Sequence, residues 1–316
     1  MRRKRWNMAY ELIYTSAERG LRPGTRGFCT VAHTKGMAPH LIQLMEALSA
    51  YKNLYGIHEM PEDAEPVAWS HIISTLAGHG VSVLSRVGAA SADHTGRSNK
   101  IAHHVLVNAR ERAVGGPAWV CMQDGFLVDS WDGHPHLIEQ PKRIPQGDSV
   151  LEPATAWAAV TGDAGYAAFL PEAFKANHDG IVVLAFEPGT EMLRLIAESL
   201  ALLSADLRWR VTYSTYFTSL PVGATCNWRC CIAKSEALRE ARRNPKALVL
   251  DLTGPLPPPP TGPLAELARN GRIVVPRAEE PGADAGGAGV SRGKRGFIVM
   301  GNRNINQLNL RPRRPE

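Results

Sequence analysis

The chain has 316 residues, of which 44% are hydrophobic, and this is enough to build a full hydrophobic core. It contains no apolar run long enough for a secretion signal or a membrane span, which predicts a cytoplasmic protein without membrane contact. The formal net charge of +6 is concentrated in basic clusters at the two ends. Such clusters are more typical of solvated tails than of a nucleic-acid interface, so a basic nucleic-acid-binding module is kept only as an alternative.

The first half of the sequence predicts a sheet with one helix. Apolar stretches at 11–14 and 27–32 predict a hairpin, and apolar residues at helical spacing predict an amphipathic helix over 38–54. Further strands in this half, separated by glycine-containing turns, are predicted at 68–74, 81–87, 105–107, 119–121 and 126–128. Residues 132–152 contain several prolines and little apolar periodicity, which predicts a boundary between two lobes.

The second half predicts a crossover of strand, helix and strand. The strand at 181–186 is wholly apolar, Thr190 is predicted to cap a helix that runs to Leu203, and the next strand covers 209–217. The remaining elements are a strand at 228–233, a helix at 235–243 and a strand at 247–250. We therefore predict an α+β or α/β fold, with mixed sheets and packed helices in two lobes.

Beyond Asp251 the composition changes. Residues 255–296 are rich in proline and glycine and predict a largely disordered linker with one short helix at 264–270. Residues 297–316 combine a short β-prone segment with a basic end. The apolar and amide residues of this segment suit stacked strands with amide ladders. The segment resembles short amyloid-like signalling motifs of bacterial immune proteins. The residues predicted to make these contacts are Ile298, Val299, Gly301, Asn304, Asn306 and Gln307. We expect it to mediate self-association and to be dispensable for folding; an edge strand or a disordered end is the alternative.

A polar loop from Asp93 to His104 is the main candidate for a binding site. A guanidinium, an amide and two imidazoles converge there beside a glycine, so donors of several geometries are available. The residues predicted to bind a ligand or partner, in this loop and in the arginine-rich loop 19–26, are Arg97, Asn99, His103, His104, Arg22 and Arg26. The alternative is an ordinary turn capped by Asp93 and Asn99, with one histidine buried and the other solvated.

The five cysteines predict neither disulfides nor a cofactor. Cys226, Cys230 and Cys231 form a cluster that could hold zinc only with a fourth ligand from elsewhere, and they fit an apolar strand more easily, so we predict no metal. A nucleophilic pair of Cys29 or Cys121 with His103 stays open. The sequence has no phosphate-binding loop of the P-loop type, which excludes that class of NTPase.

Motifs in three parts of the chain resemble the N-terminal domain of bacterial GTPase-associated proteins, over about residues 9 to 254. They are Leu12–Ser16 with Gly20-Leu21 and Gly27-Phe28, then Gly96–Asn99 with Ala102-His103, then Tyr216–Pro221 with Gly223, Cys226 and Trp228-Arg229. The resemblance implies a globular domain over 1–254 and a core component of an NTP-dependent bacterial conflict system.

This resemblance leads to a functional hypothesis of a non-catalytic adaptor or sensor. It would bind a GTPase, another conflict-system protein or an invader-derived ligand, and would pass the signal to an effector. The alternative is an enzyme that acts on a phosphorylated or nucleotide-like substrate, with Arg97 and Arg26 as anion clamps and His103 as the acid-base group.

Overall fold

A computed structural model describes residues 9–55, 65–75 and 80–271, and the strands of these residues lie in one sheet. The strands are β1 (Tyr10–Ala17), β2 (Gly27–Thr34), β3 (Ala68–Ser74), β4 (Val81–Ala90), β5 (Asn99–Val107), β6 (His136–Ile138), β7 (Ile181–Phe186), β8 (Tyr213–Ser214), β9 (Ala224–Thr225), β10 (Trp228–Ile232) and β11 (Ala247–Asp251). The helices are α1 (Pro39–Leu48), α2 (Gly116–Cys121), α3 (Thr155–Thr161), α4 (Phe169–Ala176), α5 (Met192–Ala201), α6 (Ala205–Arg208), α7 (Glu236–Arg243) and α8 (Pro263–Asn270), with a 3₁₀ helix at Ala164–Ala168.

The sheet has an antiparallel half and a parallel half. Its order is β11-β7-β10-β8-β3-β4-β5-β1-β2-β6, with β9 paired to β3. The pairs among β3, β4, β5, β1 and β2 are antiparallel, whereas the pairs among β11, β7, β10 and β8 are parallel; the edge strand β6 pairs with β2 in parallel. The halves join where Ser70 pairs with Ser214 and His71 with Tyr213. The predicted mixed α/β class is therefore confirmed.

Helices cover both halves of the sheet. In the antiparallel half, α1 buries Leu41 and Met45 against one face, and the chain from α2 to residue 131 covers the other. In the parallel half, the layer formed by α3, α4, α5 and α8 buries Trp157 and Leu195 on one face, while Leu238 of α7 packs on the opposite face. Both faces of the parallel strands are thus buried, which explains their apolar sequences.

Several predicted elements differ from the structure. The strand predicted at 119–121 is wrong, because these residues end α2, which starts at a proline-containing turn and buries Val120 and Cys121. The segment 126–128 is not a strand either. The strand predicted at 209–217 is reduced to β8, and α1 ends at Leu48. The Thr190 hydroxyl donates to the Glu187 carbonyl and does not cap α5.

The described part of the predicted linker packs against the helical layer. The Tyr166 hydroxyl donates to the carbonyl of Pro257, Arg269 donates to the carbonyl of Pro260 at 3.2 Å, and Ala265 of α8 is buried. Residues 255–271 therefore belong to the folded part of the chain. The rest of the predicted linker and the whole predicted β-prone segment lie outside the described residues. Among the residues that are described, no helix is long and apolar enough to cross a bilayer.

Gly116 marks a close approach between α2 and α6. Its φ is +88°, and a Cβ built on it would lie 2.9 Å from the Cβ of Arg208. We expect Gly116→Ala to lower the free energy of unfolding by about 2 kcal/mol, through backbone strain and overpacking together. Gly133 is the matched control, because its φ is +84° and a Cβ there meets nothing within 4 Å. Chemical denaturation should show that Gly133→Ala lowers the free energy of unfolding by only about 1 kcal/mol. Equal losses for Gly116→Ala and Gly133→Ala would contradict the close approach at Gly116.

Candidate functional site

Two loops that carry predicted site residues lie at the same end of the antiparallel half. Loop 18–26 joins β1 to β2, and loop 91–98 joins β4 to β5. The pairs Thr15 with Ile101 and Ala90 with Asn99 show that the end of β1, the end of β4 and the start of β5 lie side by side. Neighbouring strand ends of this kind bring sequence-distant polar groups together, which is the arrangement that the candidate site requires.

A polar cleft of about 550 Å³ opens between these loops and the segment 129–135. At the strand ends it is lined by Thr15, Ser16 and Asn99. The residues that line it from the surrounding loops include Glu18, Arg19, Asp93, His94, Asp129, Trp131 and His134. Its volume falls within the range of small-molecule sites, and its chemistry is that of hydroxyl, amide, imidazole and charged groups.

Asn99 and Asp93 organise the floor of the polar cleft. The Asn99 Oδ1 atom accepts hydrogen bonds from the Ser16 N–H at 3.2 Å and the Thr15 hydroxyl at 3.3 Å. The Ser16 hydroxyl donates to Asp93 at 2.9 Å, and Asp93 also accepts from the Thr95 hydroxyl and the Arg97 N–H. The Thr95 hydroxyl, followed by the Arg97 N–H, holds the pKa of Asp93 well below its usual range. Asp93 is therefore an ionised acceptor that shapes the loop.

The cleft also presents side chains that no described residue engages. Arg19, Glu18 and His94 line it without a side-chain hydrogen bond or ion pair to any described residue. The Arg97 guanidinium, on the exposed loop 91–98 but not among the lining residues, is likewise without such a partner. These groups are available to a ligand or partner, because binding would not break a protein contact.

His103 lies in a buried ionic cluster, two residues along β5 from Ile101, which lines the cleft. Its Nδ1 accepts from the Val128 N–H at 2.9 Å, so its Nε2 carries the proton and donates to Glu11 at 3.0 Å. Lys142 contacts the same Glu11 oxygen at 3.1 Å. Burial lowers the pKa of His103 despite the neighbouring carboxylate, so the neutral form dominates. At 1% exposure His103 cannot reach a substrate in this structure, and it instead ties the segment at Val128 to the sheet.

The remaining predicted residues lie elsewhere. His104 is fully buried, and its two ring nitrogens contact the hydroxyls of Ser49 and Ser85, because it points to the sheet face opposite His103. It is therefore inaccessible to a ligand. Arg22 and Arg26 line a separate cleft of about 390 Å³. The structure thus brings Asn99 and loop 18–26 together, but not the whole predicted set.

Sequence reasoning did not select several residues of the polar cleft. Ser16 lies two residues after the strand predicted at 11–14 and shortly before the arginine-rich loop 19–26, so its position carried a usable signal. Trp131 and His134 carried no such signal, because they lie where a proline-rich stretch begins, and the path of this stretch over the strand ends depends on tertiary packing.

The cysteines are core residues. Among the described residues, no group of three or more histidine, cysteine or acidic side chains could hold a metal ion. The idea that Cys226, Cys230 and Cys231 could hold a metal is therefore wrong. Cys230 and Cys231 alternate along β10 and pack into different hydrophobic clusters on its two faces. Burial raises the pKa of Cys121 and of Cys226 to about 12, so neither is an activated nucleophile.

Comparison with known families covers most of the chain. Residues 8–146 match the model of the GTPase-associated protein 1 N-terminal domain, type 2, and residues 154–254 match the model of the GTPase-associated protein 1 middle domain. No curated protein matches the chain. The sequence resemblance to the N-terminal domain is confirmed, and the comparison adds a middle domain in the second half. The chain belongs to the GTPase-associated protein 1 family.

Proposed function

We propose that this protein is a non-catalytic adaptor or sensor of a bacterial conflict system, and that it binds a GTPase partner through the loops at one end of its antiparallel sheet. The observation that carries the proposal is the set of unengaged cationic groups on these loops, in a chain whose two matched domains carry the name GTPase-associated protein 1. A partner that relays a signal needs such an accessible recognition surface.

The state of the reactive side chains supports binding in preference to catalysis. The Cys121 thiol is buried and its pKa is raised, and His103 and His104 are buried and neutral. Asp93 is held ionised by its loop, which removes it as a proton donor near neutral pH. The proposed acid-base role of His103 in an enzyme has no support from this geometry, because the ring is enclosed by Glu11 and Val128.

The surface around loop 18–26 has the composition of a protein interface. We define the end-loop surface as Arg19, Arg22, Arg26, Phe28 and Arg97. Phe28 is 47% exposed, and its ring lies 5.1 Å from the Lys100 ammonium. Arg22 and Arg26 line the same cleft as Phe28. An exposed aromatic ring beside arginines is a typical centre for binding energy in protein complexes, and the positive charge favours an acidic partner surface.

The experiment is affinity purification of the tagged chain from its native host. A protein with GTP-binding motifs should co-purify with the natural sequence, and its recovery should fall at least about tenfold with Arg26→Glu combined with Arg97→Glu, because like charges then face each other at the interface. Arg97→Ala alone should weaken binding and change the free energy of unfolding by no more than about 0.5 kcal/mol, since its guanidinium is solvated.

The matched control is Arg243→Glu combined with Lys246→Glu. These two exposed residues lie at the end of α7 and in the turn after it, away from the end-loop surface, and the substitution changes net charge by the same amount. The control should retain the partner. Equal loss in both double variants would show a general charge effect, and unfolding of Arg97→Ala would show a structural role; either result would overturn the proposed surface.

A further inference from the structure

A second cleft, of about 580 Å³, lies where the two halves of the sheet meet. It is lined by the end of β3, the start of β7 and the turn before β10, and by three arginines from different parts of the chain. We call it the arginine cleft and define it by Arg112, Arg210, Arg229, Asp179 and Asn227. Asp179 is the only carboxylate among its described lining residues, so the cleft carries excess positive charge.

Arg112 is half-buried without a counter-ion. Its Nη2 atom donates to the Ser82 hydroxyl at 3.0 Å, and its guanidinium lies 5.5 Å from the centre of the Trp209 ring. Its Nε atom is buried and has no hydrogen-bond partner, and no carboxylate within the described ranges pairs with it. Removing a guanidinium from water without a counter-ion is costly, and a bound anion would offset this cost.

The orientation of Arg112 is fixed from behind. Ser82 accepts from Arg112 and lies 3.1 Å from His71 Nε2, while His71 Nδ1 lies 2.7 Å from the carbonyl of Val211. The consistent arrangement has the Ser82 hydroxyl donating to Nε2 and the protonated Nδ1 donating to the carbonyl. This series of hydrogen bonds anchors one edge of the Arg112 guanidinium to the sheet, so its remaining donors are preorganised.

The other two arginines add donors to the same cleft. Arg229 donates from Nε to the carbonyl of Cys226 at 3.1 Å, and its guanidinium lies 4.6 Å from the centre of the Phe217 ring. Arg229 forms no ion pair with a carboxylate among the described residues, and the exposed guanidinium of Arg210 makes no hydrogen bond to any of them. Arginine presents paired donors that match phosphate oxygens, and three arginines can engage several oxygens at once.

We propose that the arginine cleft binds a phosphate-bearing small molecule, with Arg112, Arg210 and Arg229 holding its phosphoryl oxygens. The volume suits a ligand of nucleotide size, and the number of guanidiniums suits a diphosphate better than a single carboxylate. The site is distinct from the end-loop surface, and it goes beyond the proposed function because that proposal does not require a small ligand.

Isothermal titration of the full chain at low ionic strength tests this site. Inorganic pyrophosphate and guanosine diphosphate are the probes, and we expect both to bind the natural sequence. Arg210→Gln and Arg229→Gln should each weaken binding at least about tenfold, the effect of losing one charge-assisted contact. Arg112→Gln should weaken binding by a similar factor, but it also removes the hydrogen bond to Ser82 and could disturb folding. Arg210 is exposed, so Arg210→Gln is the variant that should fold normally.

Arg143→Gln is the control, since Arg143 is exposed, lies outside the cleft and has no side-chain partner among the described residues. It should bind pyrophosphate as the natural sequence does. Tighter binding of guanosine diphosphate than of pyrophosphate would identify a nucleotide, and equal affinities would identify the phosphate groups as the whole determinant; both support the site. Absence of binding at millimolar concentrations, or unchanged binding by Arg210→Gln and Arg229→Gln, would overturn it.

Discussion

Replacing Glu11 with alanine is expected to lower the free energy of unfolding by about 3 kcal/mol. Glu11 is buried and contacts both His103 and Lys142, at 3.0 and 3.1 Å. Without the carboxylate, the Lys142 ammonium, whose side chain is only 20% exposed, loses its counter-ion and His103 loses its acceptor. The large loss reflects the polar groups left unpaired, and it should appear in urea denaturation at neutral pH.

The control for this prediction is an exposed ion pair of the same kind. Lys35 and Glu139 lie 3.0 Å apart with their side chains 62% and 67% exposed, so Lys35→Ala should cost no more than about 0.5 kcal/mol. Glu11→Gln retains an acceptor for His103, so its loss of unfolding free energy should lie between those of Glu11→Ala and Lys35→Ala. If Glu11→Ala were no more destabilising than Lys35→Ala, the cluster would not contribute to stability in the way proposed.

Acidification from pH 6.5 to about 4 is expected to bring the protein close to unfolding. His71 and His104 are buried, and burial lowers their pKa values to about 4 and about 3. Since both lie below the value of about 6.5 in an unfolded chain, the unfolded state binds more protons in this window and stability falls as pH falls. Each histidine contributes about 3 kcal/mol to the loss, against a typical total of about 5 to 15 kcal/mol.

Denaturation at a series of pH values measures this slope. Above pH 4 the histidines dominate, because the pKa of Glu11 is lowered by the His103 hydrogen bond and the Lys142 charge, which outweigh its burial; its contribution is lost only as pH falls below the ordinary glutamate range. His104→Gln should flatten the slope between pH 6.5 and 4, whereas His134→Gln, at an exposed position, should not change it. A flat profile for the natural sequence would contradict the prediction.

Local sequence patterns predicted much of the fold. The alternating or wholly apolar stretches at β1, β3 and β7 were recognisable from periodicity, and α7 carried its own start signal, because the Ser235 side chain accepts from the Leu238 N–H. The segment at α2 failed, because Trp119, Val120 and Cys121 have strand-like propensity and the helix is set by tertiary packing.

The candidate sites were less predictable, for physical reasons. Adjacent His103 and His104 had to face opposite sides of β5, but the residues that cover each side come from distant segments of the chain. The arginine cleft carried no local signal at all, because its three guanidiniums meet only through the crossover between the two halves of the sheet.

The join between β3 and β8 has a consequence for how this family's domains can be rearranged. One strand falls within the N-terminal domain match and the other within the middle domain match, yet they are neighbours in one sheet. Either domain alone would present unsatisfied backbone groups along an open edge, the usual starting point for aggregation. Recombination that separated the two domains would yield two aggregation-prone fragments, so selection should favour inheritance of both domains together.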